Sequence, residues 1–490
     1  GTKPLYYQVF LNKAKNGIID EGLLPKKVDG SQLLNSYIPY IATCIQLKQK
    51  DLEFITPLLP DSNVTFSNLS YLFAASRLIK KLKLKAEDFA IIQQQSGIDI
   101  FSSPDKTLEF IKVIENFKYS PLKATDVRFI LNHEATNLTD REIKVEKIEE
   151  LLGNLQIGYK KINEEQRSKF DDKLSADEQK ESLISTLSGL SGVSENDVKT
   201  IAKFLDKNWT DVTDAAGAKT FIDDKFEKGI NRTNINAAID SLDALAAGAD
   251  SSSEQKDLIH KLLDSIADFQ IEISKQTLLE QTLLTAFKVD LALAGITLQY
   301  AKLKQPALGT DLIRGLLIDN FVNPITQANY PKQYAAIKLL HKMLALLNAF
   351  KLSNTDVEWY FKNNSSLGWL EFDSIPYDLG QTAIDFAKYI SFCRIVTFSK
   401  QFTAVTNPSD AEQPTSFFTI ADIILLSVAA SRDEFLNKLA LLTGYEKDDL
   451  DAIDANLFAA FNIDNYKEPE NWKRLLTCAD FTRKLGAEVA

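Results

Sequence analysis

Five six-residue stretches of this chain repeat one pattern: "LKAEDF" at 84, "LKATDV" at 122, "VSENDV" at 193, "LSNTDV" at 352 and "YEKDDL" at 445. Each has an apolar residue first and sixth and an acid fifth. Placed at N′ and N4 of a helix, the apolar pair forms a hydrophobic staple. The acid at N3 can reach back to a free backbone N–H and complements the positive end of the helix dipole. Ser194 and Ser353 supply the cap hydroxyls of full reciprocal boxes, whereas Lys85, Lys123 and Glu446 leave the signal to the staple. Looser versions at "VDGSQL" (28), "VTFSNL" (64), "LTDREI" (138) and "FTIADI" (418) bring the predicted helix starts to nine.

Helical periodicity follows these starts. Leu69, Leu72, Phe73, Ser76, Ile79 and Leu82 share one face, as do Leu339, Met343, Leu346 and Phe350. No proline occurs between Pro121 and Pro306, and no sustained apolar/polar alternation appears. The fold class predicted is all-α. The staples are unevenly spaced, which excludes a regular solenoid and predicts an irregular multi-helix array.

At 490 residues the chain exceeds one ordinary core. Only six aromatics (Tyr159, Phe170, Phe204, Trp209, Phe221, Phe226) fall between 139 and 265. Long charge-laced helices there are expected to cover rather than build a thick core, which marks an inserted helical lobe. The division expected is 1–138 and 276–490 as two parts of one helical array, with 139–275 as the lobe. The stretch "AAGADSSSEQ" at 246–255 is its expected weakest point.

Composition limits the partners. A net charge of -11 argues against a nucleic-acid phosphate backbone, and the basic "KKLKLK" at 80–85 reads as a solvated helix end. The apolar run at 417–431 is too short for a bilayer and carries Asp422, so it reads as a buried helix, and no membrane-spanning segment is expected. The start "GTKPLYYQVF" lacks a Met and an apolar signal core, as an excised fragment would.

Reactive chemistry is sparse. Cys44, Cys393 and Cys478 are far apart and fit neither a disulfide framework nor a zinc site. "HEATN" at 133–137 begins like a two-histidine zinc helix, but Asn137 stands where the second His belongs, so His133 reads as a helix-end residue. "GLSG" at 189–192 lacks the second Gly of a nucleophile elbow around Ser191 and reads as a turn. His133, His260 and His341 are the only imidazoles. His341 reads as a boundary residue, and Asp448 and Asp449 as helix-start acids. An enzyme would require several of His133, Asp126, His260 and His341 to converge in one pocket. No catalytic, cofactor-binding or metal-binding residues are assigned, no cofactor is expected, and the chain is read as no enzyme.

Longer strings carry a family resemblance. "VTFSNLSYLFAASRLIKKLKLKAEDFAIIQQQSGIDIFSSPDKTLEFI" (64–111) and "FKYSPLKATDVRFILNH" (117–133) closely resemble helical segments of the A component of insecticidal toxin complexes, the Tc toxins. "LLHKMLALLNAFKLSNTDVEWYF" (339–361), "LEFDSIP" (370–376) and "LALLTGYEKDDLDAI" (439–453) fit in the same order. The resemblance implies a segment of the α-helical shell of a bacterial, secreted or cell-surface homopentamer. That shell encloses a translocation channel, B and C components supply the toxic enzyme, and other modules bind a host receptor or glycan. The alternative reading is a free-standing helical adaptor or scaffold for a protein partner.

From the residues themselves, acid sensitivity is expected from helix-start carboxylates such as Asp88, Asp126, Asp197, Asp356 and Asp449, each held below its ordinary pKa, with stability lost below about pH 5.

Overall fold

The computed structural model describes residues 3–135, 137–167, 174–189, 193–205, 215–225, 232–245, 252–303, 316, 318, 320–407, 410–426, 432–458 and 461–486. The chain forms two compact units. One comprises Gly1–Glu142, Tyr300–Gly309 and Lys338–Ala490, and the other Ile143–Gln299 and Thr310–Ile337. Both are helical, and the fold is all-α. Among the described residues the only paired strands are two short antiparallel ribbons, Asp29–Leu33 with Asn63–Thr65 and Val405–Asn407 with Asp410–Thr415. A boundary at 275 falls inside the 36-residue helix Ser252–Phe287, which runs on without a break. Residues 252–255 of the expected weak stretch open that helix, and 246–251 lie outside the described residues.

All five strict repeats start helices: Ala86–Ser96, Ala124–Asn132, Glu195–Leu205, Asn354–Asn363 and Lys447–Leu457. Each buries its sixth residue (Phe89, Val127, Val198, Val357, Leu450), leaves the first half-buried and exposes the cap. The staple therefore fixes how each helix enters the core. Ser194 and Asp197 exchange both bonds of the box: the Ser194 N–H donates to Asp197 Oδ2 at 2.8 Å, and the Asp197 N–H to Ser194 Oγ at 3.2 Å. At Ser353 only the hydroxyl arm forms, accepting from the Asp356 N–H at 3.1 Å, so the full box expected there is half made. At Lys123 only the acid's arm forms, at 3.3 Å.

The looser matches fare worse. "VTFSNL" does start a helix, Phe66–Leu82, capped by Thr65. "VDGSQL" instead forms the strand Asp29–Leu33, where positive φ at Gly30 and an edge to pair with override a staple that has no capping arm. "LTDREI" yields a single 3-10 turn, Leu138–Asp140, and the helix begins later, at Val145. In "FTIADI" the cap is Ser416, two residues before the proposed staple, because Ser416 and Thr419 satisfy each other's N–H groups.

A joint recurs ahead of several starts. Gln46, Lys83, Lys288, Lys351 and Gly444 each adopt left-handed backbone, with φ between 52° and 70°. Each is followed by an apolar residue, a cap and a new helix. At Lys83 the turn closes as a Schellman motif, with the Leu84 N–H donating to the Ile79 carbonyl at 3.0 Å, and Leu47 does the same to Ala42. At Lys288 the joint turns the chain by 115° into the helix Leu291–Tyr300, capped by Asp290. Among the described residues no single helix is long and apolar enough to cross a membrane. The apolar run at 417 forms the helix Phe417–Leu425, whose six buried residues include Phe417, Ile420 and Ile424, while Asp422 accepts the Trp359 indole N–H at 2.8 Å. Residues 427–431 lie outside the described residues.

The first unit is built around a chain of touching rings. Phe350 meets Phe392, Phe392 meets Tyr360, and Tyr360 stacks on Trp369 and Phe372. Trp359 continues to Phe418, Phe417, Trp472 and then Tyr466 and Phe435. Each such pair adds about 0.5–1.5 kcal/mol beyond its buried area. The second unit has an aliphatic core instead: Leu183, Val198, Ile201, Ala218, Ile235, Ile239, Leu258, Leu262 and Ile266 pack together from five helices. Its aromatic-poor helices therefore build a core of their own, contrary to the expectation that they would only cover one. Leu, Ile and Ala at helical spacing suffice when several helices contribute one row each.

Candidate functional site

The helix Ala124–Asn132 ends at His133, whose left-handed backbone (φ 54°) turns the imidazole inward, where it is buried. Its Nε2 lies 2.8 Å from Glu142 Oε1, an ion-pair distance, and its Nδ1 has no hydrogen-bond partner among the described residues. Beside it, Lys342 projects from the helix Pro331–Phe350 and is only 2% exposed. Its ammonium donates to the Phe129 carbonyl at 2.6 Å and to the Pro376 carbonyl, and sits 4.2 Å from the centroid of the Phe129 ring. One turn earlier, Lys338 pairs with Asp378 at 2.6 Å.

These groups perturb one another. Burial pulls the Lys342 ammonium down to about 7, against the opposing pull of Glu142 and Asp378. Burial, then the Lys342 charge, lowers the pKa of His133 and, one residue along the chain, of His341. Perturbed groups of this kind are found both at reactive centres and at structural ion networks. Here the lysine uses two of its three N–H donors on main-chain carbonyls, one of them at the C-terminal end of a helix, where a cation complements the dipole. The arrangement ties together the segments around 129, 342 and 376.

The other candidate residues do not join it. Asp126 accepts from Arg141, which also donates to Thr125 Oγ1 at 3.0 Å. His260 belongs to the second unit, where its Nδ1 lies 3.6 Å from Asp264. Asn137 precedes the 3-10 turn at 138, Asp448 and Asp449 lie in the first turn of their helix, and Ser191 lies outside the described residues. Cys44 and Cys393 are buried and free, and Cys478 is free and half-buried. Burial raises the thiol pKa of Cys44 to about 11 and of Cys393 to about 12, the opposite of an activated nucleophile. Among the described residues no three His, Cys, Asp or Glu are placed to hold a metal ion.

Asp88 departs from the expectation for helix-start acids. Burial raises its pKa, with Lys85 opposing, because its carboxyl is desolvated without a capping bond in return. Sequence reading also passed over Lys342. Its signal is position: it lies three residues after Leu339 and four before Leu346, on the apolar face.

A second feature of the first unit is a cleft of about 580 Å³ between the helices Phe386–Gln401 and Pro469–Leu485. Arg394, Lys473 and Arg483 line it, with Asp480 as the one acid. The Arg394 side chain is 6% exposed and pairs with Glu470 through Nη1, while its Nε and Nη2 are buried with no hydrogen-bond partner among the described residues. Lys473 donates to Asn116 Oδ1 at 3.4 Å, and its pKa is lowered by burial and then by Arg394. Arg483 lies over the Tyr445 ring at 4.5 Å.

Comparison of the chain with family models, with curated proteins and with solved structures finds no match.

Proposed function

We propose that the chain is a non-catalytic α-helical shell segment of a Tc-type toxin A subunit, a bacterial protein destined for secretion or the cell surface. In this reading it helps to enclose a channel that delivers a toxic enzyme carried by B and C components. Other copies of the same subunit are its direct partners, and a host receptor or glycan engages modules elsewhere. The observation that carries the reading is the joint of left-handed residue, apolar staple and capped helix. It recurs at 46, 83, 351 and 444 in the first unit, and the last three coincide with the strings that resemble the toxin shell. Such joints fix helix directions through capping bonds and packed staples, which suits a structural wall and needs no reactive group.

The test is the gene product that contains this chain, purified and imaged by negative-stain electron microscopy. A ring of five copies that binds B and C components is expected. A product that stays a single copy and ignores them would overturn the shell reading and favour the adaptor.

A further inference from the structure

A groove of about 840 Å³ lies wholly within the first unit, all of its lining falling between Pro57 and Ser102. The helix Phe66–Leu82 turns Ser67, Ser70, Tyr71 and Ala74 toward it, residues that helical spacing places on one face. Gln93 and Gln94 reach it from the end of the helix Ala86–Ser96, where Gly97 at φ 63° turns the chain toward Asp99 and Phe101. Pro57, Leu58 and Pro60 add apolar surface.

Three polar groups meet in this groove. The Tyr71 hydroxyl donates to Gln93 Oε1 at 2.6 Å, and the Tyr71 and Phe101 rings stand edge to face with centroids 5.0 Å apart. Burial pushes the Tyr71 phenol up to about 12, the Gln93 bond opposes that shift, and the Asp99 charge adds to it. Asp99 therefore lies near enough to the hydroxyl to act on it. The charge of the lining is one-sided: it contains no Lys, Arg or His, and Asp99 is its one acid. Asp99 is exposed, and among the described residues no cation pairs with its carboxylate.

We infer that this groove binds a small organic cation, an arylalkyl amine in its ammonium form, with the ammonium at Asp99 and Tyr71 and the ring along Pro57, Leu58 and Phe101. The carboxylate supplies the opposite charge. Tyr71, having given its proton to Gln93, presents its oxygen lone pairs to an N–H donor, and aromatic rings beside the carboxylate add attraction for a cation. An anion would be repelled by Asp99, and nothing in the lining would offset that. The volume falls in the range of about 300–1,000 Å³ usual for small-molecule sites. The site is independent of the shell reading, since neither an assembly nor a partner copy contributes to it.

The experiment is isothermal titration of the whole chain, in amine-free buffer at pH 7, with phenethylamine, phenethyl alcohol and hydrocinnamate, which share a ring and differ in charge. Saturable binding of the amine is expected, about fivefold tighter than the alcohol, as one exposed ion pair beside aromatic rings would give, with no binding of the carboxylate. Asp99→Asn should bring the amine down to the affinity of the alcohol and leave the alcohol unchanged. Ser70→Trp, which fills the groove from an exposed position, should abolish binding of both. Both sites are exposed, so thermal unfolding should stay as in the wild type. Equal affinity for amine and alcohol, or undiminished amine binding in Asp99→Asn, would overturn the cationic ligand. No saturable amine binding at millimolar concentration, or binding unaltered in Ser70→Trp, would overturn the site altogether.

Discussion

Lys342 binds Phe129 twice, through the carbonyl at 2.6 Å and through the face of the ring at 4.2 Å. The backbone oxygen it reaches also accepts the His133 N–H at 3.0 Å, so one carbonyl closes a helix and anchors a buried cation.

This contact sets a sign for alkaline stability. The folded pKa of Lys342 is lowered to about 7 from 10.5. Between those values the unfolded chain binds the extra proton, so the wild type gains stability as pH rises from 7 to 10. Lys342→Met removes that gain and leaves two carbonyls without a donor. The expected outcome is that denaturant titrations at pH 7 and 10 place the variant further below the wild type at pH 10, by a few kcal/mol at most. Parallel pH curves for the two proteins would contradict it.

Acid acts through different groups. His133 and His341 both have lowered folded pKa values, by burial and then by the Lys342 charge. Unfolded imidazoles take up protons near pH 6.5, so stability is lost as pH falls from there toward the folded values. Asp88, with its raised pKa, works in the opposite direction and is favoured by acid. The loss should therefore begin between pH 7 and 6, earlier than helix-start carboxylates alone would give. Changing both histidines to Gln should flatten thermal stability over that interval, and an unchanged slope would exclude them as the cause.

The repeated joint separates three contributions. Ser353→Ala loses one capping bond and should cost about 1 kcal/mol. Val357→Ala removes a staple residue that is 1% exposed and should cost about 2 kcal/mol. Lys83→Gly relieves a non-glycine residue at φ 56° and should stabilise by up to about 1 kcal/mol. Chemical denaturation of the three variants checks the order, and a destabilising Lys83→Gly would show that the lysine side chain contributes more than the backbone strain costs.

Asp454 is fully buried, accepts the Tyr466 hydroxyl at 2.5 Å and lies 3.0 Å from Arg432 Nη2. Tyr466→Phe removes one hydrogen bond, a loss of about 1–2 kcal/mol, whereas Arg432→Met strands a buried carboxylate at about 3–5 kcal/mol. Thermal unfolding at pH 7 should rank them in that order. If the two variants melt together, Asp454 is not held as an ion pair.

The helices were legible because their starts are local. A staple and an N3 acid lie within six residues, and all five strict copies mark real helix starts. Of the looser copies, the one at 64 has a capping arm in Thr65 and starts a helix in place, whereas at 28 a distant strand outcompeted the helix. Core chemistry was less legible, because burial is set by partners remote in sequence. The 339–350 face is apolar by periodicity and spacing puts Lys342 on it, yet only the packed fold shows that Lys342 is buried there and satisfied by carbonyls at 129 and 376. The charged cleft was hidden for the same reason: Arg394, Lys473 and Arg483 share no spacing that a sequence pattern could express.

The Lys342 to Phe129 bond joins residues 213 positions apart, and nearly everything between belongs to the other unit. During synthesis at about 5–20 residues per second, the first unit's opening half must wait roughly 10–40 s for its closing half to emerge from the ribosome. The intervening unit is almost contiguous and can complete its aliphatic core first. The nascent chain thus matures from the middle outward, with the apolar faces around Phe89 and Phe129 left bare in the interim. Those faces are where a holdase chaperone would be needed.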